Sequence, residues 1–99
     1  MAVGVEIEFG DGATLEQYDE VIKQMGFKPG GTGGPGGLFH WVTKTGNTIR
    51  VTDVWESKAD FEKFSEEQIG PITAKVGVPG PPKITFYDVH NYLTAGPKK

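Results

Sequence analysis

Cysteine is absent from this 99-residue chain, which removes disulfides, thiolate nucleophiles and cysteine-ligated metal centres from its chemistry. Histidine is scarce. His40 and His90 stand about fifty positions apart, and the carboxylates fall at no spacing that ligates zinc, so no metal is expected. An excess of positive charge is missing too: ten Lys and Arg are set against thirteen Asp and Glu, a net charge of −3. Without a basic stripe, nucleic acid is not an expected partner. No apolar run approaches the roughly 18 residues of a spanning helix, and MAVGVEIEF lacks the basic start of a secretion signal. The expectation is a cytoplasmic protein with no membrane partner. No G-x-S-x-G elbow is present either.

What the chain does contain reads as one domain over residues 1–93, with a frayed tail over 94–99. Val3, Val5, Ile7 and Phe9 alternate with small or acidic residues, the period of a strand with one buried face. Thr14 and Gln17 form a capping box, predicting a helix from Leu15 to Met25 that stops at Gly26, with Leu15, Tyr18, Ile22 and Met25 along its inner side. Residues 28–37 hold many of the glycines and read as a mobile loop, with Gly30 to Gly37 as a flap. Gly31, Gly33 and Gly36 match G-x-G-x-x-G, but a helix precedes them and a strand follows, the reverse of a dinucleotide site. No cofactor is therefore called for.

Strands over about Leu38–Lys44 and Thr48–Glu56 are joined by Thr45-Gly46-Asn47. Taking Thr45-Gly46 as the two turn residues pairs His40 with Val51 and Leu38 with Asp53. One face then carries Leu38, His40, Val42, Ile49, Val51, Asp53 and Trp55; the other carries Phe39, Trp41, Arg50, Val54 and Glu56. On this reading a one-residue slip of the turn moves Asp53 off His40's face. Ser57 and Asp60 make a second capping box for a helix to about Gln68, interrupted at Gly70-Pro71, with a further turn over Ile72–Val76. A last strand spans Ile84–Tyr92.

The order β-α-β-β-α-β is that of a ferredoxin-like α+β domain: a four-stranded antiparallel sheet with two helices on one face. The uncovered face would leave Phe39, Trp41 and Val54 in water, and a homodimer pairing sheet to sheet is the simplest cover. Arg50 is read as an interface ion pair with Glu56 and Glu6.

On the helix-covered face, His40 and Asp53 are diagonal neighbours within reach of each other. A carboxylate beside an imidazole in an apolar pocket favours the imidazolium or fixes the tautomer, which prepares a general acid or base. The same placement also suits a satisfied core pair with a purely structural role. Tyr18 reaches towards the same cavity from the first helix, and Trp55 offers a flat surface to an aromatic ligand, although both also read as core. Tyr18, Trp55, Val51 and Phe64 are the candidate substrate-binding residues, around a compact hydrophobic or aromatic molecule.

The run Val51-Thr52-Asp53-Val54-Trp55-Glu56-Ser57 with Ala59, Phe61 and Phe64, preceded by Gly37-Leu38-Phe39-His40 and followed by Val89-His90-Asn91, resembles small bacterial proteins of the dimeric α+β barrel superfamily. Among these it is most similar to the branch related to the antibiotic-biosynthesis monooxygenase domain. The resemblance implies a sheet-paired dimeric barrel and makes cofactor-independent oxygenation the first reaction to consider. Lyase or isomerase chemistry by proton transfer uses the same residues, and a non-catalytic binding module shares the fold. Where related branches often carry a histidine that ligates haem iron, this chain has Phe64, which has no ligand atom.

Overall fold

The computed structural model describes residues 1–97 of the chain. Its elements are β1 (Val3–Glu8), α1 (Leu15–Met25), β2 (Gly37–Thr45), β3 (Thr48–Trp55), α2 (Lys58–Phe64), α3 (Gly70–Val76) and β4 (Lys83–Asp88). The strands form one antiparallel sheet in the order β2-β3-β1-β4, which is the expected ferredoxin-like arrangement. Residues 94–97 carry no secondary structure, and the last two residues of the predicted tail lie outside those described.

The α1 helix starts where its capping box places it. Thr14 Oγ1 accepts from the Gln17 N–H at 3.1 Å, and Gln17 Oε1 accepts from the Thr14 N–H at 3.0 Å. Gly26, at φ 85°, ends the helix in the left-handed conformation that glycine adopts without strain. Its inner stripe is Tyr18, Val21, Ile22 and Met25, with Val21 buried and Leu15 exposed. Leu15 was expected inside, but it lies at the start of α1 on the wall of an open concavity that Lys44, Gly46 and Asn47 of the hairpin tip also line.

The second helical region also departs from expectation, because Gly70-Pro71 does not interrupt it. A π-helical turn over Ser65–Ile69 links α2 to α3, the Gly70 N–H donating to the Ser65 carbonyl five residues back. Proline has no N–H to give, and its ring would collide with the carbonyl four residues earlier. The wider turn accommodates both problems. Thr73 Oγ1 donates to the Ile69 carbonyl at 2.6 Å, supplying that group with a partner. Ser57 caps α2 through the Asp60 N–H at 3.1 Å. The last strand ends at Asp88, short of the predicted Tyr92, because its neighbour β1 begins at Val3, which pairs with Asp88.

In the β2–β3 hairpin, Thr45 pairs with Thr48, leaving Gly46 and Asn47 as the two turn residues. The predicted Thr45-Gly46 turn is one residue too early. Both common two-residue hairpin turns need positive φ at their first position; Gly46 meets this at φ 58°, where a β-branched Thr45 would be strained. The expectation that a one-residue slip of the turn would take Asp53 off His40's face is wrong: moving the turn by one residue shifts the pairing by two, a whole strand period, so the predicted faces survive. His40 lies directly opposite Asp53 rather than diagonal to it, and Val42 opposite Val51. Leu38 is the extra residue of a bulge between Gly37 and Phe39 and has no partner in Asp53.

Val5, Ile7, Val51, Trp55 and Phe61 form the buried core, with Tyr18, Val42, Phe64 and Phe86 packed around it. The end of the glycine-rich segment is fixed against this core rather than free. The Gly36 carbonyl accepts from the Glu56 N–H at 2.8 Å, and a Cβ on Gly34 would lie 2.7 Å from the Phe64 ring. Gly36 has φ 85°, and a Cβ there would meet the Asp60 side chain at 2.8 Å. Gly36→Ala is therefore expected to destabilise the fold by about 1–3 kcal/mol. Gly33→Ala, with nothing within 4 Å and no positive φ, should change stability by less than about 0.5 kcal/mol. Urea denaturation of the two variants checks the contrast.

The face of the sheet away from the helices exposes Phe39, Trp41 and Tyr87, at 52%, 49% and 53%. Arg50 lies on it too, but its ion partners are Glu6 at 3.5 Å and Glu8 at 3.9 Å, both on β1. The expected partner Glu56 is not among them, because Arg50 sits opposite Glu8 in the β1–β3 register.

Candidate active site

Asp53 occupies the middle of β3, flanked by Val5 on β1 and His40 on β2, and is 4% exposed. A carboxylate so placed needs a hydrogen-bond donor for each oxygen. Both are supplied. His40 Nδ1 lies 2.6 Å from Oδ1, and the Trp55 indole N–H donates to Oδ2 at 3.0 Å. The Trp55 contact follows from the strand itself: residues two apart share a face, so the indole can reach back to the carboxylate. Sequence reading takes Trp55 as a core side chain or a stacking surface; it is core, at 4% exposed, but its donor role goes unread, although the two-residue spacing signals it.

On its other side, His40 Nε2 meets the Tyr18 hydroxyl from α1, and the two rings stack with centroids 5.8 Å apart and planes 11° from parallel. Because the Asp53 carboxylate only accepts, Nδ1 carries a proton, and in the neutral imidazole Nε2 then holds the lone pair. Tyr18 then donates to that lone pair. Trp55, Asp53, His40 and Tyr18 thus form one hydrogen-bonded chain from the core to the surface, where the His40 side chain is 41% exposed.

The remaining predicted residues are packed around this chain rather than arrayed on an open surface. Val51 and Trp55 are each 4% exposed. Trp55 is enclosed by Phe61, edge-on at 5.6 Å, and by Phe64 at 5.2 Å. Phe64 is half-buried, also stacks on Phe27 at 6.2 Å, and offers no atom to an iron. His90 is exposed beyond the end of β4. A concavity of about 570 Å³ lies at the hairpin tip, lined by residues including Asp11, Thr14, Glu16, Lys44 and Asn47, and none of the predicted site residues borders it. Among the described residues no group of three or more His, Asp or Glu side chains could hold a metal ion, and no helix is long and apolar enough to cross a membrane.

Burial, then the negative charge of Asp53, then that of Asp19, pushes the Tyr18 phenol up to about 12. The sign of the stability effect follows from proton uptake. Above pH 10 the unfolded phenol ionises while the folded one still holds its proton, so Tyr18's contribution is complete below about pH 10 and is lost as pH rises through about 12. A spectrophotometric titration should show a phenol ionising near pH 12 that Tyr18→Phe lacks. The variant should also lose less stability over that interval.

No family model matches this sequence, and no curated protein matches it. Solved structures do. A candidate antibiotic biosynthesis monooxygenase from Deinococcus radiodurans is similar with a TM-score of 0.55 at 13% identity, over 97% of this chain and 99% of that one. A single-residue variant of SnoaB, a cofactor-independent oxygenase from Streptomyces nogalater, is similar at 0.61 and 12% identity, over 95% and 98% of the chains. A conserved protein from Methanosarcina mazei follows at 0.58 and 11%, over 88% and 91%. At these identities the likeness is one of architecture. With an antiparallel sheet in the order β2-β3-β1-β4 under its helices, the chain has the fold of the antibiotic-biosynthesis-monooxygenase-like proteins that its sequence resembles.

Proposed function

We propose that this chain is an acid–base enzyme acting on a compact aromatic or hydrophobic molecule, with cofactor-independent oxygenation as its first reaction. The observation that carries the reading is His40 held between a buried carboxylate and a phenol. A side chain with so fixed a tautomer is prepared to move a proton. Removing one from a hydroquinone or an activated C–H leaves an electron-rich anion that dioxygen can oxidise. The similarity in fold to a cofactor-independent oxygenase supports this choice. Without dioxygen, the same proton transfer serves a lyase or isomerase. Ligand contact is assigned to Tyr18 and the exposed edge of His40, with Phe64, Val51 and Trp55 forming the apolar wall behind them.

A test compares wild type with His40→Ala on hydroquinones, followed by oxygen uptake, and on a nitrobenzisoxazole, followed by ring opening. Turnover in wild type that is lost in a folded His40→Ala protein supports the reading. Equal turnover in the two removes it. A non-catalytic binding module is favoured by one observation, the concavity at the hairpin tip that excludes the His40 cluster. Ligand binding there without turnover would decide for that alternative.

The reading includes a homodimer built through Phe39, Trp41 and Tyr87, whose burial would offset several kcal/mol at about 25 cal/mol per Å². Light scattering is expected to give twice the chain mass for wild type. Trp41→Glu, which would desolvate a charge within that face, should give a folded monomer.

A further inference from the structure

Both ring nitrogens of His40 are occupied. Nδ1 lies 2.6 Å from Asp53 Oδ1 and Nε2 meets the Tyr18 hydroxyl, so in the neutral ring Nδ1 donates and Nε2 accepts. Asp53 has its second oxygen taken by the Trp55 N–H at 3.0 Å, so its carboxylate cannot turn away without leaving a buried donor unpaired. Every donor in the chain points towards the carboxylate. The atom at the outer end with lone pairs to spare is therefore the Tyr18 oxygen, since a hydroxyl that donates once can still accept twice.

We propose that the Tyr18 hydroxyl, rather than His40, exchanges the proton with the bound molecule, and that His40 is the relay behind it. This rests on the acid–base reading of the same site. In the forward step the substrate O–H or activated C–H bond breaks and its proton joins the Tyr18 oxygen. The original Tyr18 O–H bond breaks and that proton joins His40 Nε2. The bonding pair remains on the substrate as a phenolate or enolate, and the imidazolium is balanced by the Asp53 carboxylate. The reverse sequence returns a proton to the product. A standing tyrosinate is not required, which fits a phenol whose ionisation is opposed by burial and by Asp53. The substrate class is accordingly a phenol or an activated carbon acid, small enough to bring its acidic hydrogen to the Tyr18 oxygen.

Two measurements test the relay. Diethyl pyrocarbonate modifies an imidazole nitrogen with a free lone pair, and peptide mass spectrometry can follow His40 with His90 as internal reference. In Tyr18→Phe the uncovered Nε2 should react about tenfold faster than in wild type, the fold-change of one lost hydrogen bond; equal rates overturn the proposal. On any hydroquinone or nitrobenzisoxazole that wild type turns over, Tyr18→Phe should lose about 10² or more in kcat, as far as His40→Gln does. Retained turnover in Tyr18→Phe also overturns it. If wild type turns over none of these probes, the acid–base reading fails, and the modification rates alone decide whether Tyr18 covers His40 as described.

Discussion

Asp53→Asn is expected to lower turnover of any accepted probe by about 10² or more while leaving the fold in place. The substitution preserves shape, so the argument concerns donors and acceptors. Asp53 accepts from two sides, from His40 at 2.6 Å and from Trp55 at 3.0 Å. An amide has one oxygen and one NH2, and can accept on only one of them. If the oxygen faces His40, the Trp55 N–H meets another donor in the core. If it faces Trp55, the NH2 confronts His40 Nδ1, which must give up its proton and become the acceptor. Nε2 then carries the hydrogen, and the Tyr18-to-His40 hydrogen bond reverses. In either orientation the carboxylate that balances the imidazolium is gone. In the first orientation the unpaired Trp55 N–H should also cost about 1–3 kcal/mol of stability. Steady-state kinetics with urea denaturation separate the two losses. A purely structural His40–Asp53 pair would show the second alone.

Phe61→Ala should bring the largest loss of stability, about 3–5 kcal/mol. Phe61 is 1% exposed. Its ring stands edge-on to Trp55 at 5.6 Å and to Phe86 at 5.7 Å, so it joins α2 to both β3 and β4. Truncation removes the apolar contact and two aromatic pairs while opening a cavity beneath the Trp55 indole. Against a total stability of about 5–15 kcal/mol for a domain of this kind, such a loss leaves a marginal fold. Because Trp55 also anchors Asp53, the active-site chain should loosen with it. Urea denaturation followed by tryptophan fluorescence checks the magnitude; a loss below about 1 kcal/mol would mean that this part of the core can collapse on itself.

The elements were legible because each has a local signature: alternation in β1, the capping box at Thr14, and glycine at Gly26. The pairing of His40 with Asp53 was legible in kind but not in register. Choosing between Thr45-Gly46 and Gly46-Asn47 depended on which residue must take positive φ, and strand alternation cannot distinguish shifts of two. Period-two symmetry also explains why the candidate site survived the misplaced turn. Leu15 and Val21 exchanged roles because apolar spacing does not reveal that α1 starts on the wall of an open concavity. The π-helical turn at Ser65–Ile69 was hidden by Pro71, which reads as a stop unless the chain can widen ahead of it. Tyr18's approach to His40 depends on how α1 lies across β2, a tertiary fact. Trp55's role was partly readable: its spacing from Asp53 gave the shared face, while its apolar bulk drew attention from its N–H.

The central claim is that His40 is held in one tautomer between Asp53 and Tyr18. Nitrogen NMR of the imidazole side chains at neutral pH tests it directly. A neutral His40 with its proton on Nδ1 and a hydrogen-bonded, unprotonated Nε2 is the predicted result, and Asp53→Asn should abolish or reverse that preference. A His40 in wild type with the proton on Nε2, or one averaging freely between the two forms, would contradict the account.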